Sequence, residues 1–95
     1  MSDFLFEWNK EKNKYNIEKH GINFVEAKTV FEDENMIYIN DDEHSTYEER
    51  FLVIGMSRFP RLLVVCHCVR DGLFVRIISA RKATQKERAE YENER

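Results

Sequence analysis

Three closely spaced runs rich in aliphatic and β-branched residues constrain the fold of this chain more than any other feature. They are Phe51–Met56, Leu62–Val69 and Leu73–Ala80. The connections between them are short, and one contains Asp71-Gly72, a dipeptide typical of tight hairpins, so the runs predict an antiparallel meander. In Leu62–Val69 both alternating sets of side chains are apolar, so the sheet needs cover on both faces.

A strand and two helices are predicted before the three runs, and the helices can supply this cover. The alternation of apolar and polar residues over Phe4–Trp8 predicts a short strand. Asn9 as an N-cap and Gly21 as a left-handed stop bound a first helix. Asn23–Glu26 has the spacing of a capping box for a second helix that extends to Phe31.

A last helix is predicted near the end of the chain, where Thr84 and Glu87 form a second capping box. The order is therefore β-α-α-β-β-β-α. It predicts an α+β domain whose antiparallel sheet is covered on one face by the two early helices, with the late helix available for the other face.

Length and composition place the chain among single-domain globular proteins. Its 95 residues are 42% hydrophobic and 13% aromatic, which argues against disorder, and we expect one domain over residues 1–95. No apolar run approaches the ~20 residues of a membrane-spanning helix, and no secretory signal begins the sequence. Cys66 and Cys68 lie too far apart along one strand to bridge. We therefore expect a cytoplasmic protein with reduced thiols and no membrane association.

The formal net charge of −3 conceals a segregated distribution of charge. Residues 32–49 include eight acidic residues and no Lys or Arg, whereas residues 50–88 include nine basic and two acidic residues, a net charge of +7. Charge separated in this way can hold a polyanion locally on a protein that is acidic overall. A solvated surface of mixed charge is the alternative interpretation.

For each of the three runs, one polar residue shares a strand face with apolar neighbours. These residues are Arg50, directly before the first run, His67 in the second and Arg76 in the third. An arginine among apolar residues is costly unless its guanidinium reaches a partner or solvent. If the register places all three on one face, two guanidinium groups and an imidazole surround a single surface. Alternatively, Arg50 and Arg76 form structural ion pairs with Glu48 or Glu49, and His67 is a hydrogen-bonded core residue.

Metal ligation is not expected. Cys66-His67-Cys68 resembles a metal-binding sequence, but strand alternation directs His67 away from both thiols. His44 has acidic neighbours that could bind a divalent ion, and a solvated acidic loop is the alternative. We expect neither a metal nor a cofactor.

The stretch Arg76–Tyr91 is the most specific part of the sequence. A strand ends at Arg81 and Lys82, and the capped helix begins after Thr84. Backbone N–H groups at a helix N-terminus bind anions favourably, and the planar guanidinium of arginine can donate hydrogen bonds to two oxygens at once. The sequence therefore predicts a phosphate site at Arg81.

An ordered set of motifs resembles the BrnT family. The motifs are FEWN…KHG at Phe6–Gly21, F-x-x-A-x-x-V-F at Phe24–Phe31, H-x-x-x-E-x-R-F at His44–Phe51 followed by Ile54-Gly55, and RIISAR-x-A-T…E-R…Y at Arg76–Tyr91. Each motif alone is weak, but the ordered set covers nearly the whole chain and is specific.

This resemblance implies a RelE-like fold and a ribonuclease toxin of a type II toxin–antitoxin system. It also implies a BrnA-like antitoxin with a ribbon-helix-helix portion, so that operator DNA is contacted only indirectly, through the antitoxin. RelE-like nucleases need no metal and use basic side chains to bind the phosphate and stabilise the transition state.

By position, Arg50, Arg76, Arg81 and Tyr91 match the family pattern as candidate catalytic residues, whereas His67 lies outside the motifs. The expected reaction is attack of a ribose 2′-OH on the adjacent phosphorus. Arg81 and Arg50 would hold the phosphate, and His67 or Tyr91 would move protons. The expected further RNA-binding residues are Lys82, Lys86 and Arg88. The alternative function is a non-catalytic protein-binding module, an inactive toxin homologue that acts as a co-repressor with a DNA-binding partner.

Overall fold

The three apolar runs form the centre of a five-stranded sheet. The structure, a computed structural model, describes residues 4–40 and 50–93. In these ranges the elements are β1 (Leu5–Glu7), α1 (Lys10–His20), α2 (Phe24–Ala27), a 3-10 helix (Lys28–Glu32), β2 (Ile37–Asn40), β3 (Phe51–Met56), β4 (Leu62–Arg70), β5 (Phe74–Lys82) and α3 (Gln85–Asn93). None of the helices in the described ranges is long and apolar enough to cross a lipid bilayer.

The strand order is β1-β5-β4-β3-β2, with β2 to β5 antiparallel and β1 parallel to β5. Asp71 and Gly72, between β4 and β5, have φ angles of 54° and 75°, the left-handed conformation that tight hairpins favour. The predicted α+β fold and its meander are confirmed, and β2 adds a strand that the predicted order lacks.

A buried amide, rather than an apolar stripe, anchors α1 to the sheet. The helix begins after its N-cap Asn9 and ends at Gly21, whose φ is 72°. Asn16 is only 3% exposed. Its Nδ2 donates to the carbonyl oxygen of Ala80 at 2.9 Å, and its Oδ1 accepts from the N–H of Ala80 at 3.0 Å. These two bonds satisfy the buried amide and fix the position of α1 against β5.

The predicted second helix is shorter than expected, because it tightens into the 3-10 helix after one turn. Its N-cap is Asn23, whose Oδ1 accepts from the N–H of Val25 at 2.9 Å. Glu26 does not complete the expected capping box. Its carboxylate instead accepts hydrogen bonds from Ser57 and Arg61, so this side chain ties α2 to the β3–β4 connection.

Both faces of the sheet carry an apolar cluster, as the two-sided strand pattern predicts. On the face packed against α1, α2 and the 3-10 helix, here called the α1 face, the buried residues are Ile22, Phe24, Ala27, Val30, Phe31, Val53, Leu63, Val65, Val75, Ile77 and Ala80. On the opposite α3 face they are Ile54, Leu62, Val64 and Tyr91, with half-buried Ile37, Ile39, Leu52, Met56 and Ala83 around them. The α3 face thus has a smaller core, to which α3 contributes one buried side chain, Tyr91.

The capping box at the start of α3 is present as predicted. The N–H of Glu87 donates to Oγ1 of Thr84 at 3.1 Å, and the N–H of Thr84 donates to Oε1 of Glu87 at 2.9 Å. This reciprocal pair fixes the direction in which α3 leaves β5.

Candidate active site

A β-bulge in β5 decides which face each basic residue of this strand occupies. The register of the β4–β5 pairing shifts between Cys66 and His67. Cys66 is paired with Ser79 and His67 with Ile77, so Ile78 of β5 is paired with no residue of β4. Strict alternation would place Arg76 and Arg81 on opposite faces, because they are an odd number of residues apart. The skipped residue brings both of them to the α3 face.

Arg81 is held by a carboxylate of α3. Its Nη1 and Nη2 donate to Oε1 and Oε2 of Glu87 at 2.7 and 2.8 Å. The hydrogen bonds from Arg81 hold the pKa of Glu87 at about 2, against the opposing effect of burial, and the pKa of Arg81 is raised by the same contact. This bidentate arrangement is the one in which arginine also binds phosphate. A carboxylate therefore occupies the position where the sequence predicts a phosphate.

Arg76 is also paired with a carboxylate. Its Nη1 donates to Oε2 of Glu7 at 2.9 Å, and Arg70 donates to the other oxygen of the same carboxylate at 3.0 Å. The bond from Arg76 is the main reason that the pKa of Glu7 is lowered. Glu48 and Glu49, the partners considered from the sequence, lie outside the described residues.

The arginines of the α3 face do not gather around one point. Arg76 is paired with Cys68 on β4, and Arg81 with Val64. These partners are four residues apart, which corresponds to about 13 Å along the strand. Arg50, half-buried, directly precedes β3. Arg76 and Arg81 thus form two separate ion-paired positions rather than a single cluster.

His67 lies on the other side of the sheet. It is fully buried on the α1 face, with ring centroids of Phe31, Tyr38 and Phe51 at 4.9, 5.9 and 5.9 Å. Its Nδ1 lies 3.5 Å from the carbonyl oxygen of Val65. Burial lowers the pKa of His67 to about 4. From the sequence, His67 and the arginines would share one surface only if the strand register placed them on the same face. The register does not do so, because the sheet lies between His67 and both Arg76 and Arg81.

The burial of His67 predicts a pH-dependent stability. The native state keeps the imidazole neutral down to about pH 4, whereas the unfolded chain binds a proton below pH 6.5. The unfolded state therefore holds more protons between these values, and the free energy of unfolding should fall by about 3 kcal/mol as the pH drops through this window. Urea unfolding at pH 7.5, 6, 5 and 4 measures the change. His67→Leu should flatten the profile, and an unchanged profile in this variant would contradict the assignment.

Tyr91 is fixed in a hydrogen bond that joins α3 to the rest of the domain. Its hydroxyl donates to Oδ2 of Asp33 at 2.7 Å, and the same oxygen accepts from the N–H of Met56 at 2.8 Å. The side chain is 5% exposed. This arrangement supports a structural contribution of Tyr91 to the docking of α3.

The residues expected to bind RNA lie on both sides of Arg81. Lys86 and Arg88 belong to α3, whereas Lys82 ends β5 opposite Leu63, on the α1 face of the sheet, and all three are exposed. His44, the alternative metal ligand, lies outside the described residues. Within residues 4–40 and 50–93, no three His, Cys, Asp or Glu side chains gather closely enough to hold a metal ion.

Besides Glu7, sequence reasoning missed two further carboxylates that pair with the basic groups, Glu87 and Glu26. Glu87 was expected only to cap α3, although its spacing from Thr84 could have drawn attention to the nearby Arg81. Glu26, 3% exposed, accepts from Oγ of Ser57 at 2.7 Å and from Nε of Arg61 at 3.0 Å. Burial raises the pKa of Glu26, but the hydrogen bonds from Arg61 and Ser57 outweigh it and keep this pKa below its usual value. These partners are more than 30 residues from Glu26 along the chain, so no local spacing points to them.

Comparison with known proteins agrees with this architecture. Residues 8–87 match the family described as the ribonuclease toxin BrnT of type II toxin–antitoxin systems. The crystal structure of the Brucella abortus ribonuclease toxin BrnT aligns with a TM-score of 0.63 at 20% sequence identity, over 90% of this chain and 100% of that chain. A search of curated proteins gives no match. Because the family match extends over most of the sequence, the chain belongs to the BrnT family of ribonuclease toxins of type II toxin–antitoxin systems.

Proposed function

We propose that this protein is an endoribonuclease toxin that cleaves RNA without a metal ion, by attack of a ribose 2′-OH on the adjacent phosphorus. The observation that supports this most directly is the partly exposed bidentate pair of Arg81 and Glu87 near the end of β5. A guanidinium held in this geometry at the end of a strand is suited to bind a phosphate, and the carboxylate beside it is suited to accept a proton.

The proposed reaction begins when an RNA phosphate displaces the carboxylate of Glu87 from Arg81. The pKa of Glu87, about 2 while Arg81 holds it, then rises toward its ordinary value, and the carboxylate becomes a better base. It accepts the proton of the 2′-OH as the 2′-oxygen bonds to phosphorus and the bond from phosphorus to the 5′-oxygen breaks. The leaving oxygen takes a proton from solvent. The products are a 2′,3′-cyclic phosphate and a 5′-hydroxyl, so no co-reactant is consumed.

The other candidate residues receive different roles in this proposal. Arg50 and Arg76 contribute positive charge farther along the α3 face, and Lys82, Lys86 and Arg88 hold neighbouring phosphates. Proton transfer is assigned to Glu87 rather than to His67 or Tyr91. His67 is fully buried, and Tyr91 is 5% exposed with its hydroxyl bonded to Asp33.

Neutralisation by a BrnA-like antitoxin is part of the same proposal. Beside α3, Ile37, Tyr38 and Ile39 of β2 line a cavity of ≈ 380 Å³ together with Glu90 and Asn93. A helix with an apolar anchor fits such a strip, and an acidic rim on that helix suits the net charge of +7 carried by residues 50–88. Operator DNA would be contacted only through the antitoxin. We place the activity in the cytoplasm, which suits the free thiols of Cys66 and Cys68.

Incubating the purified chain with RNA in EDTA tests the proposal. We expect cleavage to proceed in the chelator and to leave cyclic phosphate and 5′-hydroxyl ends, because the proposed step uses protein groups alone. Arg81→Ala purified in parallel controls for contaminating nucleases. Activity that disappears in EDTA and returns with a divalent ion would contradict the metal-free mechanism and direct attention to His44 and its acidic neighbours.

A further inference from the structure

The connection between β3 and β4 exposes an aromatic ring. Phe59 is 64% exposed, more than any other large hydrophobic side chain in the described part of the chain. Leaving a phenyl ring in water forgoes the free energy of burying it. An exposed aromatic side chain at a turn is therefore a candidate contact for a binding partner.

The backbone around Phe59 is held in place rather than loose. Oγ of Ser57 accepts from the N–H groups of Phe59 and Arg61 at 3.3 and 3.4 Å and donates to Glu26 at 2.7 Å. The N–H of Arg58 donates to Oγ1 of Thr29 at 3.0 Å. These bonds fix the turn before a partner arrives, which reduces the entropy lost on binding.

Arg58 and Arg61 lie on either side of Phe59 along the chain. Arg58 contacts Glu32 through Nε and Nη2, at 2.9 and 2.8 Å, and its side chain is 73% exposed. Arg61 is held by Glu26, whose carboxylate is almost fully buried. A guanidinium has five N–H donors, so each of these groups can bind an anion while its carboxylate contact persists.

The turn lies at the same end of the sheet as Arg81. The N–H of Ala83 donates to the carbonyl oxygen of Leu62 at 3.0 Å, and Lys82 and Arg81 pair with the next two residues of β4. Phe59 precedes Leu62 by three residues. The topology therefore places the Phe59 turn and the proposed phosphate site at one end of the sheet, with Arg61 contacting Glu26 on the α1 face and Arg81 on the α3 face.

We propose that a base of the RNA substrate stacks on Phe59, with Arg58 and Arg61 contacting the phosphates on either side of it. This proposal rests on the proposed ribonuclease function and adds a binding site outside the reacting groups. Proteins that bind single-stranded nucleic acid combine aromatic platforms with basic side chains in this way. The guanidinium N–H groups of Arg58 and Arg61 that Glu32 and Glu26 leave unused favour a strand that carries phosphates over an apolar pocket of a protein partner.

Binding of a fluorescein-labelled, single-stranded 2′-O-methyl oligoribonucleotide, which lacks the attacking hydroxyl, tests the inference without cleavage. Phe59→Ala should weaken binding by about 5- to 100-fold. Tyr15→Ala is the matched control, because Tyr15 is 61% exposed on α1 with Nζ of Lys19 5.7 Å from its ring centroid, and its removal should change affinity less than twofold. Phe59→Trp should bind as the wild type does, with its indole fluorescence quenched by the oligonucleotide, whereas Tyr15→Trp should show no quenching.

The outcomes separate this inference from the function on which it rests. If the wild type cleaves RNA and Phe59→Ala binds the oligonucleotide as tightly as Tyr15→Ala does, the stacking site is wrong and the ribonuclease proposal stands. If Phe59→Ala instead weakens only the binding of an antitoxin, the ring belongs to a protein interface and the inference is overturned. A wild-type chain that neither binds nor cleaves RNA would overturn both.

Discussion

Replacing Arg81 with alanine is expected to lower the rate of RNA cleavage by about two to three orders of magnitude, the usual effect of removing one group that stabilises transition-state charge. The side chain of Arg81 is 39% exposed and its guanidinium is already fixed in a bidentate contact with Glu87, so it can bind a phosphate with little reorganisation. Single-turnover cleavage of a labelled RNA measures the effect. The loss of stability should be on the order of 1 kcal/mol, since the pair is partly exposed.

Two further variants show whether the effect is specific to Arg81. Arg81→Lys should recover only part of the rate, because an ammonium group cannot make the bidentate contact. Arg70→Ala is the matched control, since Arg70 also pairs with a glutamate, Glu7, but lies at the opposite end of β4. A folded Arg81→Ala protein that cleaves RNA as fast as Arg70→Ala would contradict the proposed binding of the phosphate by Arg81.

Glu87→Gln is expected to reduce kcat by about 10²- to 10⁴-fold, as is usual when a general base is removed. The amide oxygen still accepts from Thr84, so the helix cap is retained. RNA affinity should stay the same or increase, because a negative charge that competes for Arg81 has gone. A fall in kcat without a rise in KM therefore distinguishes a proton acceptor from a residue that merely positions Arg81. The measurement is the dependence of the cleavage rate on RNA concentration.

Glu90→Gln supplies the control for this experiment, because it removes the same charge from the same helix. It should leave kcat within twofold of the wild-type value. If Glu87→Gln binds RNA more tightly and cleaves it at least as fast as the wild type, Glu87 only masks Arg81 and the base must be another group.

The elements of the fold were predictable because local signals mark them. Asn9, Gly21 and Thr84 lie at the helix boundaries that their side chains or backbone preferences indicate. The attachment of α1 was not predictable from an apolar pattern, because it depends on Asn16, a polar residue satisfied by β5 from 64 residues away. Tyr15 and Ile17, its most apolar side chains, are exposed instead.

The candidate site was predictable only in part, because its geometry depends on register and on distant partners. Arg81 was identified from its place between a strand and a capped helix, and this local arrangement is present in the structure. The face on which His67 lies relative to Arg76 depends on how β4 and β5 pair, which one sequence does not specify. Glu7, the partner of Arg76, belongs to a strand that joins the sheet in parallel from the other end of the chain.

The skipped residue at Ile78 also limits how the length of this chain can vary. Losing that residue alone would remove the bulge and leave Arg76 and Arg81 four residues apart, so regular alternation would still keep both on the α3 face. Gaining one residue beside the same single bulge would instead turn Arg81, and every position after it, toward the α1 face, where Val65 and Ile77 are closely packed. Among related chains, the spacing between these two arginines should therefore be five residues with a bulge or four without one, while other insertions and deletions accumulate in the hairpin connections.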